Sequence, residues 1–467
     1  MLDYARAYKD LERIFSAGVD RVHPDRLIRN GLHLQEERLT VATESTSLTL
    51  DLEDFRRIVV LGAGKASAAM AAGLERILGD RIDEGVVVVK YGHTAELERI
   101  RLIESGHPVP DGEGVRGAEA VAELARRADE KTLAINLISG GGSAILPAPY
   151  QEKEGFGVTL QEKQKTTQVL LACGAAIEEI NCIRKHISML KGGRLAQLLY
   201  PARSVNLILS DVVGDRLDTI ASGLTVADET TFAQAQAIIA GYGIEDQLPV
   251  SVVELLRRGA EGRIAETPKP GDRVFESVSN VLLGTNYTAL KAAAEQAGRL
   301  GYKPVVLSSR IVGEAREVAK VLAAVALDIG QSSLLASPPA CLLCGGETTV
   351  TLRGQGKGGR NQELALAFLQ RIAEAAGAAG GICFLSGATD GTDGPTDAAG
   401  AFASRQIAEQ ARAAGLSIAG TLERNDSYHF FDSIGRLLKT GPTNTNVCDL
   451  QICLIAVSYT HLRAHET

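Results

Sequence analysis

The chain contains no tryptophan, and aromatic residues make up only 4% of it. Stacking platforms for single-stranded nucleic acid need rings in number, so that partner is disfavoured. A formal net charge of −8 likewise gives no support to general polyanion binding. No apolar run reaches the ~18–20 residues that a membrane span requires. The opening MLDYARAYKDLERIF is an amphipathic helix pattern without a signal-peptide hydrophobic region. Cysteines number seven, an odd count, and Cys341, Cys344, Cys383 and Cys453 fall inside predicted strands. Cys341 and Cys344 have CxxC spacing, but the residues between them are apolar and no second pair accompanies them, which argues against zinc. The expectation is reduced core thiols in a cytoplasmic protein. A GxxxxGK[ST] phosphate loop is also missing.

What the chain does have is a repeated pattern of apolar run followed by polar, glycine-rich loop. Residues 348–352 read as a strand, 353–360 (RGQGKGGR) as a basic loop, and the segment from Asn361 as an amphipathic helix. Glycines let backbone N–H groups close on a ligand. Lys357 and Arg360 place cations at a helix start, where the macrodipole is already positive, so an anion is expected to neutralise them. A mobile solvated loop is the competing reading. Runs at 58–61, 133–138, 205–209 and 382–385 end in loops of the same character: Gly62-Ala63-Gly64-Lys65, Ser139-Gly140-Gly141-Gly142-Ser143, Ser210-Asp211-Val212-Val213-Gly214-Asp215, and SGATDGTDGPTD. In open α/β sheets ligands bind beyond the carboxyl ends of the strands.

At 467 residues the chain exceeds the size at which one core keeps growing, which predicts two domains. Strand-like and helical runs alternate nearly throughout, implying parallel strands with helical crossovers. Helices are predicted at 66–78, 115–127, 160–180 and 230–239, in a shorter stretch after Lys191, and from Tyr287 and Val312 onward. The segment ETPKPG, 266–271, with two prolines and a glycine, is the best linker candidate. The last twelve residues, AVSYTHLRAHET, break the preceding style and are expected to be an appended tag or read-through of vector sequence.

Gly62-Ala63-Gly64-Lys65-Ala66-Ser67 resembles a dinucleotide fingerprint with Ser67 in place of the third glycine. An NAD ribose calls for an acidic residue at the end of the next strand, where Lys90 stands; an NADP reading survives that test. Residues 139–143 can form an anion nest or a ligand-free tight turn. His107, in a proline turn, is expected to support other groups rather than react. Asp211 and Asp215 flank Gly214, and Asp390, Asp393 and Asp397 recur across a glycine-rich turn. Magnesium takes one or two protein carboxylates and fills its shell with water and phosphate oxygens. Turn chemistry is the alternative; it is preferred for Asp397, and function is preferred for Asp211 and Asp390.

These segments, with Arg184-Lys185-His186, Lys191-Gly192-Gly193, Gly345-Gly346-Glu347, Gly358-Gly359-Arg360-Asn361-Gln362-Glu363 and Thr440-Gly441-Pro442-Thr443-Asn444-Thr445-Asn446-Val447, occur in the order seen in one family. The chain resembles the glycerate 2-kinases, whose C-terminal part is the MOFRL domain and whose members are often labelled hydroxypyruvate reductase. The resemblance runs from about Tyr4 to Ile455. It implies two α/β domains with an interdomain cleft: a Rossmann-like glycerate kinase domain at 1–265 and a MOFRL domain at 275–455, with 456–467 extraneous. The implied activity is ATP- and Mg2+-dependent phosphorylation of D-glycerate at its 2-hydroxyl, with no nucleic-acid or membrane partner and with room for a homodimer. Lys65 and Arg360 match the family's key lysine and arginine; Asp211 completes the catalytic set. Gly62, Gly64, Ser139, Gly140, Gly141, Gly142, Ser143, Lys357 and Asn361 would bind substrate or phosphate, and Asp215, Glu347 and Asp390 a metal. Two other readings compete, an NADP-dependent hydroxypyruvate reductase and a non-catalytic sugar-acid binding protein.

Overall fold

In a computed structural model that describes residues 3–152, 155–375 and 381–456, the apolar runs become the strands of three sheets. Two compact units contain them: residues 24–283, and residues 1–23 together with 284–467.

The unit 24–283 begins with an antiparallel meander, β1 (Leu32–Gln35), β2 (Arg38–Ala42) and β3 (Ser47–Asp51). A six-stranded sheet follows, built from β4 (Arg57–Ala63), β5 (Glu84–Lys90), β6 (Ile100–Ser105), β7 (Thr132–Ile138), β8 (Arg203–Leu209) and β9 (Val278–Gly284) in the order β6-β5-β4-β7-β8-β9. From β6 to β8 the pairing is parallel. In register, Val59 of β4 lies beside Glu84 on one side and Ala134 on the other. Both faces of β4 are covered, which is why its sequence is continuously apolar rather than alternating. Val59, Leu61 and Ala63 pack with Val86 and Val88 against the helix Gly112–Arg126. After β4 the chain fills one side of the sheet, then crosses back to lay β7 and β8 on the other. The carboxyl ends of β4 and β7 therefore flank a switch point, where side chains from neighbouring loops can converge.

Two expectations for this unit need correction. The helix predicted at 160–180 is two helices, Leu160–Ala172 and Ile177–His186, broken at Gly174, whose φ is +77°. The segment 266–271 is no linker but is built into the unit. Thr267 is buried and donates to Asp228 (3.0 Å), while Glu266 accepts the Phe232 N–H (3.0 Å) and meets His186 at 3.2 Å.

The other unit carries β10 (Lys303–Glu314), β11 (Ala340–Thr349), β12 (Ile382–Ala388), β13 (Gly400–Ser404), β14 (Leu437–Leu438) and β15 (Asp449–Ile455), ordered β10-β11-β15-β12-β13-β14. Only β10 and β11 pair in parallel; the final strand inserts antiparallel between β11 and β12, and β13 and β14 continue antiparallel. This sheet is therefore mixed, against the expectation of parallel strands. The strand predicted at 348–352 is the end of β11, and the helix predicted from Val312 begins at Ala315 because β10 runs to Glu314.

The boundary 1–265 also moves, because the first 23 residues belong with the C-terminal unit. The helix Tyr4–Arg21 buries Leu11, Ile14 and Phe15 there. A Cβ on Gly387 of β12 would lie 2.9 Å from the Phe15 ring, and Tyr8 shares a 2.6 Å hydrogen bond with Ser404. All seven cysteines are free thiols, and all but Cys173 are buried. Among the described residues no helix is long and apolar enough to cross a membrane. Of the presumed tail, residues 457–467 lie outside the described residues.

If the N-terminal helix is part of that core, Phe15→Ala should cost about 3–5 kcal/mol, as burying an aromatic ring and then deleting it does elsewhere. The loss is measured as a lower denaturant midpoint reported from the C-terminal unit. An unchanged midpoint would show that the helix is an ornament.

Candidate active site

The turns that leave β4 and β7 are fastened to one another. Ser139 Oγ accepts the Ala66 N–H (3.0 Å) and pairs with Ser67 Oγ (3.0 Å), whose own proton goes to the Leu137 carbonyl (3.0 Å). Backbone bonds add to this, from Lys65 N–H to the Gly140 carbonyl (2.9 Å) and from Ser139 N–H to the Ala63 carbonyl (3.1 Å). Such contact leaves no room for side chains. A Cβ on Gly64, whose φ is +144°, would sit 2.1 Å from Ser139 Oγ, and one on Gly62 would sit 2.6 Å from the Leu137 carbonyl. Gly62 and Gly64 are thus required by packing, which accounts for them without a ligand.

Around this seam stand groups from four strand ends. Lys65 lies at the end of β4, its Cε 3.3 Å from where a Gly141 Cβ would be. The loop after β6 brings the His107 ring to 3.0 Å from the same point. From β8, Asp211 closes on Gly140, where a Cβ would be 2.0 Å from its Oδ2. Lys90 ends β5, and His93 just beyond it hydrogen-bonds the Lys65 carbonyl (3.0 Å). Burial, reinforced by the charges of Lys65 and Lys90, pushes the His107 pKa down to about 4. Neither the Lys65 nor the Lys90 ammonium has a hydrogen-bond or ion-pair partner among the described residues. Lys65 thus stands at Gly141 and Asp211 at Gly140, on adjacent positions of the glycine turn.

The far end of the glycine turn is held differently. Ser143 Oγ pairs with Ser222 Oγ (2.9 Å), which donates to Asn181 Oδ1 (3.3 Å). Fully buried Lys191 donates to the carbonyls of Ser143 (2.9 Å) and Leu146 (3.0 Å). Burial, with the nearby charge of Arg184, lowers its pKa to about 7. Ala221 and Ser222 both have left-handed backbone, φ +49° and +57°. Such strain, of order 1–3 kcal/mol per residue, persists where surrounding structure over-determines it.

Arg360, Lys357, Asn361, Glu347 and Asp390 all lie in the other unit, where the groups expected to cradle phosphate have partners within the protein. The glycine-rich loop spends its amides internally: Asn425 Oδ1 accepts the N–H of Arg353 (2.8 Å) and Gly354 (3.0 Å), and Asp426 accepts that of Lys357 (3.0 Å). Lys357 sits over the Tyr428 ring at 4.3 Å. The start of helix Arg360–Glu374 already has its anion, for Asp393 accepts the N–H of Asn361 (3.1 Å) and Gln362 (2.9 Å). Burial pushes the Asp393 pKa up to about 6 despite those donors. Asn361 is buried and bonded to Asp393 and to Ser386 (2.6 Å). Arg360 grips fully buried Asp449 through two bonds (2.6 and 2.9 Å) and Glu347 through a third contact (3.0 Å). These carboxylates hold the guanidinium well above its ordinary pKa. The Asp390 carboxylate accepts the Thr392 N–H at 2.9 Å. Sequence reading missed Asp449, buried in an apolar strand, and the internal role of Asp393.

A family model described as a domain of unknown function, DUF4147, matches residues 10–257, and the MOFRL family model matches 340–449. A glycerate 2-kinase of Pyrococcus horikoshii is 37% identical, covering 95% of this chain and 96% of its own. A putative hydroxypyruvate reductase of Agrobacterium vitis is 44% identical over 85% of this chain and 87% of its own. The crystal structure of a glycerate kinase from Thermotoga maritima matches with a TM-score of 0.84 and 36% identity, over 97% of this chain and 100% of that one.

The lowered His107 pKa carries a sign. A folded value below the ordinary 6.5 means that the neutral ring stabilises the fold above pH 6.5, and that this stability is lost as pH falls toward 4. Proton NMR should find His107 neutral down to about pH 5, and a midpoint near 6.5 would show the ring to be solvated and remote from Lys65. Gly140→Ala should fold yet lose activity, since the new methyl must displace the Asp211 carboxylate. Full activity in that variant would remove Asp211 from the site.

Proposed function

The chain belongs to the glycerate kinase family with an N-terminal DUF4147 and a C-terminal MOFRL segment, and from that premise we propose that it transfers the γ-phosphoryl group of ATP to the 2-hydroxyl of D-glycerate. One observation carries the reading: the unpaired Lys65 ammonium beside the glycine turn, with Asp211 on the turn's other flank. Phosphoryl transfer asks for positioning and charge neutralisation more than covalent chemistry. Lys65 neutralises the transferring group, and those amides of the turn 139–143 that are not spent on the Ala63 and Ser139 carbonyls hold the anionic substrate. Asp211 accepts the hydrogen bond of the 2-hydroxyl and keeps its oxygen aimed. Arg360 serves as the family's second cation, with Glu347 and Asp449 fixing the plane of its guanidinium. Glu347 is tied to Arg360 and Asp390 to a turn.

Among the described residues no group of three or more histidine, cysteine or acidic side chains is placed to hold a metal. Magnesium carried by nucleotide phosphates needs only one or two protein carboxylates. Asp215, four residues beyond Asp211 in the same loop, is a second carboxylate of that loop. Magnesium bound there would neutralise phosphate charge.

A coupled assay for ADP release with D-glycerate, followed by phosphorus NMR of the product, tests the proposal directly. Phosphate on the 2-oxygen is expected; NADPH oxidation with hydroxypyruvate and no ADP release would favour the reductase reading that Lys90 permits. Lys65→Ala should lower kcat and kcat/KM together, as loss of a group acting mainly in the transition state does. A folded variant with near-normal kcat would dismiss Lys65 from the chemistry. Arg360→Lys keeps the charge but not the planar fork, and should cost on the order of 1–3 kcal/mol of transition-state stabilisation. Its melting temperature must be compared, because the same change unpairs buried Asp449.

A further inference from the structure

Arg184 has no task in the fold that the structure explains. It lies near the end of helix Ile177–His186, half-buried, with no ion pair, hydrogen bond or ring contact among the described residues. Its neighbour Lys185 turns to the acidic side of the helix, 3.3 Å from Asp228 and 3.7 Å from Asp218. Arg184 is on a different face, one turn beyond Asn181, and residues three apart on a helix are neighbours. Asn181 is the residue that meets Ser222, and through it Ser143, at the end of the glycine turn. The Arg184 charge is felt at the Lys191 ammonium, which is itself 2.9 Å from the Ser143 carbonyl. So two cations without a partner among the described residues stand near the turn 139–143: Lys65 at Gly141, and Arg184 on the side of Asn181 and Lys191, which meet Ser143.

Leaving a guanidinium partly desolvated without a carboxylate costs stability. A fold that keeps such a group beside an anion turn has reserved it for a ligand. Arginine suits a planar anion, since its donors match the two oxygens of a carboxylate, whereas an ammonium such as Lys65 acts as a point charge. We propose that Arg184 binds the carboxylate of the hydroxy-acid substrate, so that the turn between Arg184 and Lys65 measures the distance from that carboxylate to the hydroxyl that accepts phosphate. Arg184 then determines specificity for acids over uncharged polyols. This rests on the kinase reading for the identity of the reaction, though not for the binding of a carboxylate.

The test compares wild type, Arg184→Gln and Arg184→Lys with D-glycerate and with its uncharged amide, D-glyceramide. For Arg184→Gln we expect KM for D-glycerate to rise at least thirtyfold. The KM for ATP should be unchanged, and the preference for glycerate over glyceramide should fall by a similar factor. Arg184→Lys should recover part of the glycerate affinity and none of the amide's. A folded Gln variant with unaltered KM for D-glycerate, or with an equal loss for acid and amide, overturns the proposal. Titration calorimetry of D-glycerate alone separates it from the kinase reading. If wild type binds glycerate without ever releasing ADP, the reaction is wrong. Binding lost in Arg184→Gln still upholds the carboxylate site, and equal binding sinks it.

Discussion

Everything proposed for the unit 24–283 depends on how closely the turn after β4 meets the turn after β7. The Ser139 hydroxyl is the fastener, accepting from the backbone of one turn and pairing with the first residue of the following helix. The approach is possible only because Gly62 and Gly64 present no Cβ. With the turns locked, Gly140 and Gly141 have their neighbours chosen for them, Asp211 against one and Lys65 with His107 against the other. A looser seam would leave the same residues in the same sheet without a common focus. Preorganisation of this kind lets fixed charges act without reorganising at the moment of reaction.

The cations of the chain divide into those the protein has neutralised for itself and those it has not. Arg360 faces two carboxylates, Lys357 covers a tyrosine ring, and the helix start beside them is filled by Asp393. Lys191 is satisfied by two carbonyls, and its lowered pKa shows how reluctantly burial tolerates its charge. Lys65, Lys90 and Arg184 have no such partners among the described residues. Unpaired charge in a partly desolvated place is costly, and in the proposed reading an external anion completes the electrostatics at Lys65 and Arg184.

That division explains what could be read from sequence. The strand ends were legible because each combined an apolar run with a glycine-rich loop. The cluster of Lys65, the turn 139–143 and Asp211 followed from placing those loops at one edge of a parallel sheet. The internal partners of the basic loop 353–360 were not legible, because glycine and cations look the same whether their anion is a ligand or a distant aspartate. Asp393 and Asp426 lie more than thirty residues downstream of the groups they cap, and no local pattern announces that pairing. Arg184 was hidden for the opposite reason. Basic residues at a helix C-terminus have a ready explanation in the macrodipole, and only the absence of any partner for one of them sets it apart. The N-terminal helix showed its amphipathic stripe in the sequence, but nothing in the stripe says which of two cores it enters.

Two kinds of cation at one site also divide the energetics of a transfer reaction. A guanidinium holding the substrate carboxylate makes the same contact before and during transfer. It therefore contributes uniform binding, which sets the concentration at which the enzyme works rather than its turnover. An ammonium at the accepting oxygen meets little charge on a neutral hydroxyl and more as the phosphoryl group arrives, so its contribution grows along the reaction. The glycine turn separates the two roles by a fixed length of backbone. A substrate whose carboxylate and hydroxyl match that length is positioned by the first cation for the second, and the entropy of alignment is met on binding rather than at the barrier.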